Sequence, residues 1–108
     1  MEVAVFSALG EPSRLQIVEL LGRGPLGVGE IADGVGIRQP QASKHLRVLA
    51  ECGIVGVESR SRRRIYHLEP EPLDRIARWV DSFDQLWQDR LDSLGNYLQT
   101  HQNQEDEP

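Results

Sequence analysis

Between Gln39 and Arg64 the sequence gathers side chains suited to an anionic, hydrogen-bonding ligand. Gln39, Gln41 and Ser43 bring amides and a hydroxyl, and Lys44 and Arg47 add two cations to the same short stretch. Further on, Ser59 to Arg64 reads SRSRRR and holds four arginines, Arg60, Arg62, Arg63 and Arg64. Amides and hydroxyls both donate and accept, and a guanidinium presents a planar fork of donors that fits phosphate or carboxylate. Neither run contains an acid to neutralise it. Covalent chemistry is not what these residues suit. There is no Ser-His-Asp order and no glycine-rich phosphate loop, and His45, His67 and His101 share no ligand spacing. The pattern points to recognition, and the enzyme class is excluded on these grounds.

The charge of the whole chain sharpens the point. The protein has 108 residues and a formal charge of −5. Residues 38–64 hold seven basic and two acidic side chains, a net of +5, while residues 1–37 carry −3 and residues 65–108 carry −7. A positive patch on a negative body steers an anionic partner to one face.

Other bounds are ordinary. The length suits one domain, and 27% charged with 39% apolar residues is typical of a soluble globular protein. A monomer this small buries only about 60–70% of its unfolded surface, so a second subunit would add stability. The single cysteine, Cys52, excludes an internal disulfide framework and suits a reducing compartment. Val3 to Leu9 lacks a basic lead and a cleavage site, and no stretch approaches the ~20 apolar residues that cross a bilayer. A cytoplasmic protein with no membrane contact and no cofactor is expected.

The elements that must hold the polar residues can be read from period and punctuation. Glu11-Pro12 breaks a first short helix, and Pro12 or Ser13 opens a second with Leu15, Ile17, Val18, Leu20 and Leu21 as its apolar face. Gly22 and Gly24-Pro25 stop it. Val28, Ile31, Ala32 and Val35 follow the i, i+3, i+4, i+7 rule of a short amphipathic helix, and Gly34-Val35-Gly36 turns a tight corner. The next helix runs from about Gln39 to Cys52, with Pro40 in its first turn and Gly53 as a left-handed cap. Ala42, Leu46 and Leu49 form its inner face, so Pro40, Ser43, Lys44 and Arg47 face outward with Gln41 to one side. Ile54 to Glu58 and Ile65 to Leu68 read as two strands, with SRSRRR as the tip between them. Glu69-Pro70-Glu71-Pro72 breaks the chain before a long helix from about Leu73 to Gln99.

That last helix carries an apolar stripe with Val80, Phe83, Leu86, Trp87, Leu91, Leu94 and Leu98 at alternating three-and-four spacing. It is longer than the small body can cover, and self-association through it is expected. The first helix, with Val3 and Phe6, is expected to join that interface. Domain boundaries follow: residues 1–100 as one recognition and dimerisation domain, and residues 101–108 as a disordered acidic tail.

Short helix, corner, polar-faced helix and arginine-tipped hairpin make the order of a winged helix-turn-helix: mainly α, with a two-stranded β-hairpin. A helix of this kind enters a major groove, where amides and hydroxyls reach base edges. Arginines on a hairpin follow the backbone or enter the adjacent minor groove. Double-stranded DNA is therefore the expected partner. A winged helix that binds another protein is the alternative, because the fold is reused in that way.

Residues Phe6 to Leu98 resemble the ArsR-type family of bacterial winged-helix repressors. The most specific match is QASKHLRVLAECGIV, in which Ser43, His45, Leu46, Leu49, Gly53 and Ile54 stand in the family's pattern. The resemblance implies a homodimer whose first and last helices pair, a palindromic operator, and repression relieved by a signal. It places Gln39, Gln41, Ser43, Lys44 and Arg47 on DNA, with Arg60 to Arg64 as the wing. His45 is read as a mainly structural residue at the edge of the inner face, in reach of a phosphate.

The chain departs from the family's metal-sensing members. Where those carry a cysteine pair, this sequence reads PLGVGEI, with Gly27 and Gly29, and glycine has no ligand atom. No histidine stands between Leu73 and Thr100. The row of Asp81, Asp84 or Gln85, Gln88, Asp89 and Asp92 is read as a solvated face before a metal site. The resemblance is thus to a branch without the metal site, with a small-molecule inducer left open. Cys52 is read as a small packed residue before a thiol sensor, and Trp79 and Trp87 as packing residues before a ligand pocket.

Overall fold

Proline and glycine set the ends of the short helices that build the body. The structure is a computed structural model that describes residues 3–105, with side chains as far as 101. The order is α1 (Val3–Leu9), α2 (Pro12–Leu21), β1 (Leu26–Gly27), α3 (Val28–Val35), α4 (Gln39–Glu51), β2 (Val55–Arg60), β3 (Arg63–Leu68) and α5 (Pro70–Glu105). Residues up to Leu73 form one unit, and α5 from Asp74 forms a second.

Glu11 holds the extended backbone that a following proline requires, with φ −90° and ψ 127°, and its side chain caps α2 by accepting from the Arg14 amide at 2.9 Å. Ile17, Val18 and Leu21 turn inward, whereas Leu15, expected on that face, is 43% exposed. The buried stripe of α2 runs through 17, 18 and 21, and one helical turn earlier it passes through Arg14 rather than Leu15. The corner between α3 and α4 rests on Gly36, at φ 78°, a conformation that favours glycine. Its amide and that of Ile37 both return to the Ala32 carbonyl, at 2.9 and 3.0 Å.

The core of the body is apolar throughout. Ile17, Ile31, Leu46, Leu49 and Ile54 are fully buried, and no polar side chain is buried with them among the described residues. Ala42, Leu46 and Leu49 of α4 are the inward set that the sequence period requires. After α4, Gly53 at φ 77° closes a Schellman cap, with Ile54 N–H on Leu49 O and Gly53 N–H on Ala50 O. Ile54 is thereby delivered straight from the cap into the core.

Three differences from the sequence reading stand out. The sheet has three strands in the order β1-β3-β2, all antiparallel, because Leu26 and Gly27 pair with Tyr66 and Ile65. The tip is only two residues long. Arg60 pairs with Arg63, so Ser59, Arg60, Arg63 and Arg64 belong to the strands, and Ser61 and Arg62 form the turn at φ 45° and 72°. Main-chain pairing continues where the side chains are all polar and give no alternation to read. Finally, α5 starts at Pro70, since prolines at 70 and 72 sit in a first turn whose amides have no intrahelical partner. It runs on to Glu105, into the stretch 101–108 expected to be a tail. His101 Nδ1 lies 3.1 Å from Tyr97 O, and the two rings stack with centroids 3.9 Å apart. Residues 106–108 lie outside the described residues.

Taken by itself, α5 exposes its apolar stripe. Val80, Phe83, Leu86, Trp87, Leu91, Leu94 and Leu98 are all between 44% and 59% exposed, and Trp79 packs edge-on against Phe83 at 4.9 Å. Val3 in α1 is 77% exposed, and Phe6 is half-buried. No helix among the described residues is long and apolar enough to cross a membrane.

Candidate nucleic-acid interface

The inward anchoring of α4 decides what it shows to solvent. With Ala42, Leu46 and Leu49 buried, Gln39, Pro40 and Gln41 of the first turn and Ser43, Lys44 and Arg47 between the buried residues are exposed along the same helix. Gln41 has a second duty, since its Oε1 accepts the Arg38 amide at 3.2 Å and closes the first turn. His45 is half-buried and turns toward α2, with Nδ1 3.7 Å from Glu11 Oε2. It therefore ties the exposed helix to the N-cap of its neighbour. The Glu11 carboxyl is held below the ordinary glutamate value, first by the Arg14 amide that it caps, then by the Ser13 amide and the nearby His45 and Arg14 charges.

The wing arginines divide by strand parity. Along β3, Arg63, Ile65 and His67 share one face of the sheet, and Arg64, Tyr66 and Leu68 share the other. Arg63 reaches Glu30 in α3, with Nη2 2.5 Å from Oε1. The same carboxylate accepts the Gly27 amide at the start of α3. A Cβ on Gly27 would stand 3.0 Å from the Arg63 guanidinium, so glycine there makes room for this pair. Arg60 lies 3.4 Å from Glu58 on its own strand, both well exposed. Arg62 and Arg64 have no carboxylate within ion-pair distance among the described residues, and neither have Lys44 and Arg47.

Two residues that matter here escaped the sequence reading. Glu30 is the partner of Arg63, and the spacing of Gly27 and Glu30 before an apolar helix was the available signal. Tyr66 stands between β1 and β2 on the Arg64 face, a placement that depends on the unforeseen β1 pairing. At the position of the metal-sensing cysteines, Gly29 is open to solvent and Gly27 lies beneath Arg63. Among the described residues no three His, Cys, Asp or Glu side chains converge. Cys52 is half-buried at the end of α4, with Sγ 3.6 Å from Ala4 O.

A polar-faced helix after a glycine corner, flanked by a cationic two-residue hairpin, is winged helix-turn-helix geometry, and the comparisons with known proteins agree. The family model for bacterial regulatory protein, arsR family, matches residues 11–57. The HTH-type transcriptional regulator Rv2034 of Mycobacterium tuberculosis is 37% identical over 72% of this chain and 73% of its own length. The chain belongs to the ArsR family. The biofilm growth-associated repressor of Agrobacterium fabrum is 35% identical, over 75% of this chain and 68% of its own length. Among solved structures, the homodimeric winged helix-turn-helix DNA-binding domain Mb0332 from Mycobacterium bovis superposes with a TM-score of 0.64 at 30% identity, covering 76% of each chain. This ArsR-family protein is a DNA-binding transcriptional regulator.

Proposed function

We propose that the protein is a cytoplasmic, non-catalytic homodimeric repressor that reads a palindromic operator with α4 and grips its backbone with the wing. The carrying observation is a set of cations without an ion-pair partner among the described residues, Lys44, Arg47, Arg62 and Arg64, beside exposed amides in a chain of net charge −5. Gln39, Gln41 and Ser43 discriminate bases, and Arg62 carries backbone charge. The exposed stripe on α5 supports the dimer, which brings two copies of α4 to successive half-sites. Repression is the role carried in the names of several relatives. Gly27 and Gly29 supply no ligand, which supports a signal other than metal.

The test combines sedimentation with fluorescence anisotropy on a duplex taken from the promoter of the protein's own gene. The unmodified chain sediments as a dimer at micromolar concentration. Leu91→Glu with Leu94→Glu gives a monomer that loses about 100-fold in affinity, because the second half-site no longer binds at high effective concentration. Zinc, cadmium and arsenite leave binding unchanged against a chelated control. Deleting the gene raises expression from a reporter on that promoter. A monomeric wild type, or release of DNA by stoichiometric metal, would overturn the proposal.

A further inference from the structure

Strand parity sends Arg64 to the opposite side of the wing from Arg63, toward α4. There an open cleft of about 250 Å³ lies between the recognition helix and the sheet, lined by Ser43, Leu46, Arg47, Val57, Arg64 and Tyr66. We propose that this cleft seats one phosphodiester of the bound DNA strand, held by Arg47 and Arg64 with the hydroxyl of Tyr66. The inference rests on the DNA-binding reading above and adds to it a single phosphate and the residues that hold it.

Four observations point to that occupant. No carboxylate lines the cleft, although the chain as a whole is acidic. Arg47 and Arg64 lack ion-pair partners among the described residues, while the alternate arginines Arg60 and Arg63 are satisfied by Glu58 and Glu30. Two free guanidinium groups on one small cleft repel each other until an anion enters between them. The backbone under Tyr66 is fixed by pairing with Leu26 on one side and Val57 on the other, so that wall is preformed. The volume falls below the roughly 300–1,000 Å³ of small-molecule sites, which favours a group on a larger partner over an inducer. When α4 lies in a major groove and the wing lies beside it, the strand bordering that groove passes between the two. Arg47 and Arg64 come from separate elements, so the clamp also fixes the wing against the recognition helix when DNA is bound.

The experiment is a methylphosphonate scan. Duplexes selected from a random library by the full chain are prepared with one phosphate neutralised at a time. Affinities are then measured for wild type, Arg47→Gln, Arg64→Gln, Tyr66→Phe and, as a control, Arg62→Gln. One phosphate per half-site should cost wild type about tenfold, the scale of a charged hydrogen-bonded contact. The Arg64→Gln protein should already have lost that factor and be indifferent to neutralisation at that phosphate, with Arg47→Gln alike and Tyr66→Phe partly so. Arg62→Gln should bind more weakly yet keep the full penalty there. If wild type selects no duplex, the DNA-binding reading itself has failed. If it binds and no phosphate shows coupling to Arg47 and Arg64, the clamp is wrong while DNA binding stands. Calorimetry with inorganic phosphate is the remaining arm. Sub-millimolar binding that Arg64→Gln abolishes, and that leaves DNA affinity untouched, would make the cleft a free-anion site and overturn the proposal.

Discussion

Arg63 and Glu30, 33 residues apart in sequence, join the wing to the start of α3. Both side chains are at least half exposed, so the pair adds little to global stability, about 0–1 kcal/mol. Its effect is on where the wing stands. Arg63→Gln and Glu30→Gln should each lower DNA affinity severalfold with Tm nearly unchanged, and the double variant should lose no more than either alone. Arg62→Gln should instead reduce the slope of log affinity against log salt by about 0.9. Anisotropy across a salt series separates these outcomes. If Glu30→Gln raised affinity and Arg63→Gln flattened the slope, Arg63 would be on a phosphate and Glu30 its competitor.

Glu11 makes the link between α2 and α4 sensitive to acid. Its carboxyl is held low chiefly by the Arg14 amide, so the folded state favours the charged form. The stability that follows is present above the unfolded glutamate value and is lost as pH falls through the lower folded value. Glu11→Gln should therefore lower Tm at neutral pH and bring the mutant and wild-type curves together under acid. Thermal melts across the acid range decide it, and a constant gap at every pH would contradict the assignment.

Gly34 allows α2 and α3 to approach. A Cβ there would stand 2.6 Å from Leu20 Cδ2, closer than real contacts allow. Gly34→Ala should cost less than about 1 kcal/mol net, because the half-buried end of Leu20 can turn aside and alanine favours the helix. In that background, Leu20→Ala should cost less than it does in wild type, and urea denaturation of the four proteins gives the coupling. Independent effects would mean that the helices simply move apart.

The turn at Ser61 and Arg62 places two ordinary side chains in left-handed backbone, where each residue costs about 1–2 kcal/mol. Ser61→Asn suits that conformation and should slow amide exchange along β2 and β3 without changing the salt dependence of DNA binding. Unchanged protection in both strands would argue that the tip is not strained.

The sequence was most legible where period and punctuation agree. Ala42, Leu46 and Leu49 define α4 and its outer face, and Gly36 and Gly53 mark its surroundings correctly. Contacts fixed by distant pairing were hidden. Leu26–Gly27 is too short to show a strand period, and only its pairing with Ile65 and Tyr66 makes it one. The two-residue tip carries neither asparagine nor glycine, the usual signature of its turn. Without that register, nothing in RSRRR told paired arginines from free ones. The prolines at 70 and 72 looked like a break and are the first turn of α5.

Pairing on both edges of β3 has a consequence for how such a wing can change length over evolution. Ile65 and Tyr66 are pinned between β1 and β2. One residue gained or lost between Arg64 and Ile65 would exchange the faces of the two neighbouring arginines, bringing the Glu30-bound side chain toward α4 and the free one away from it. Two residues would restore the arrangement. The strand thus has a reading frame of two, and lineages that keep both arginine positions should show insertions there in even steps, with odd ones compensated by a bulge.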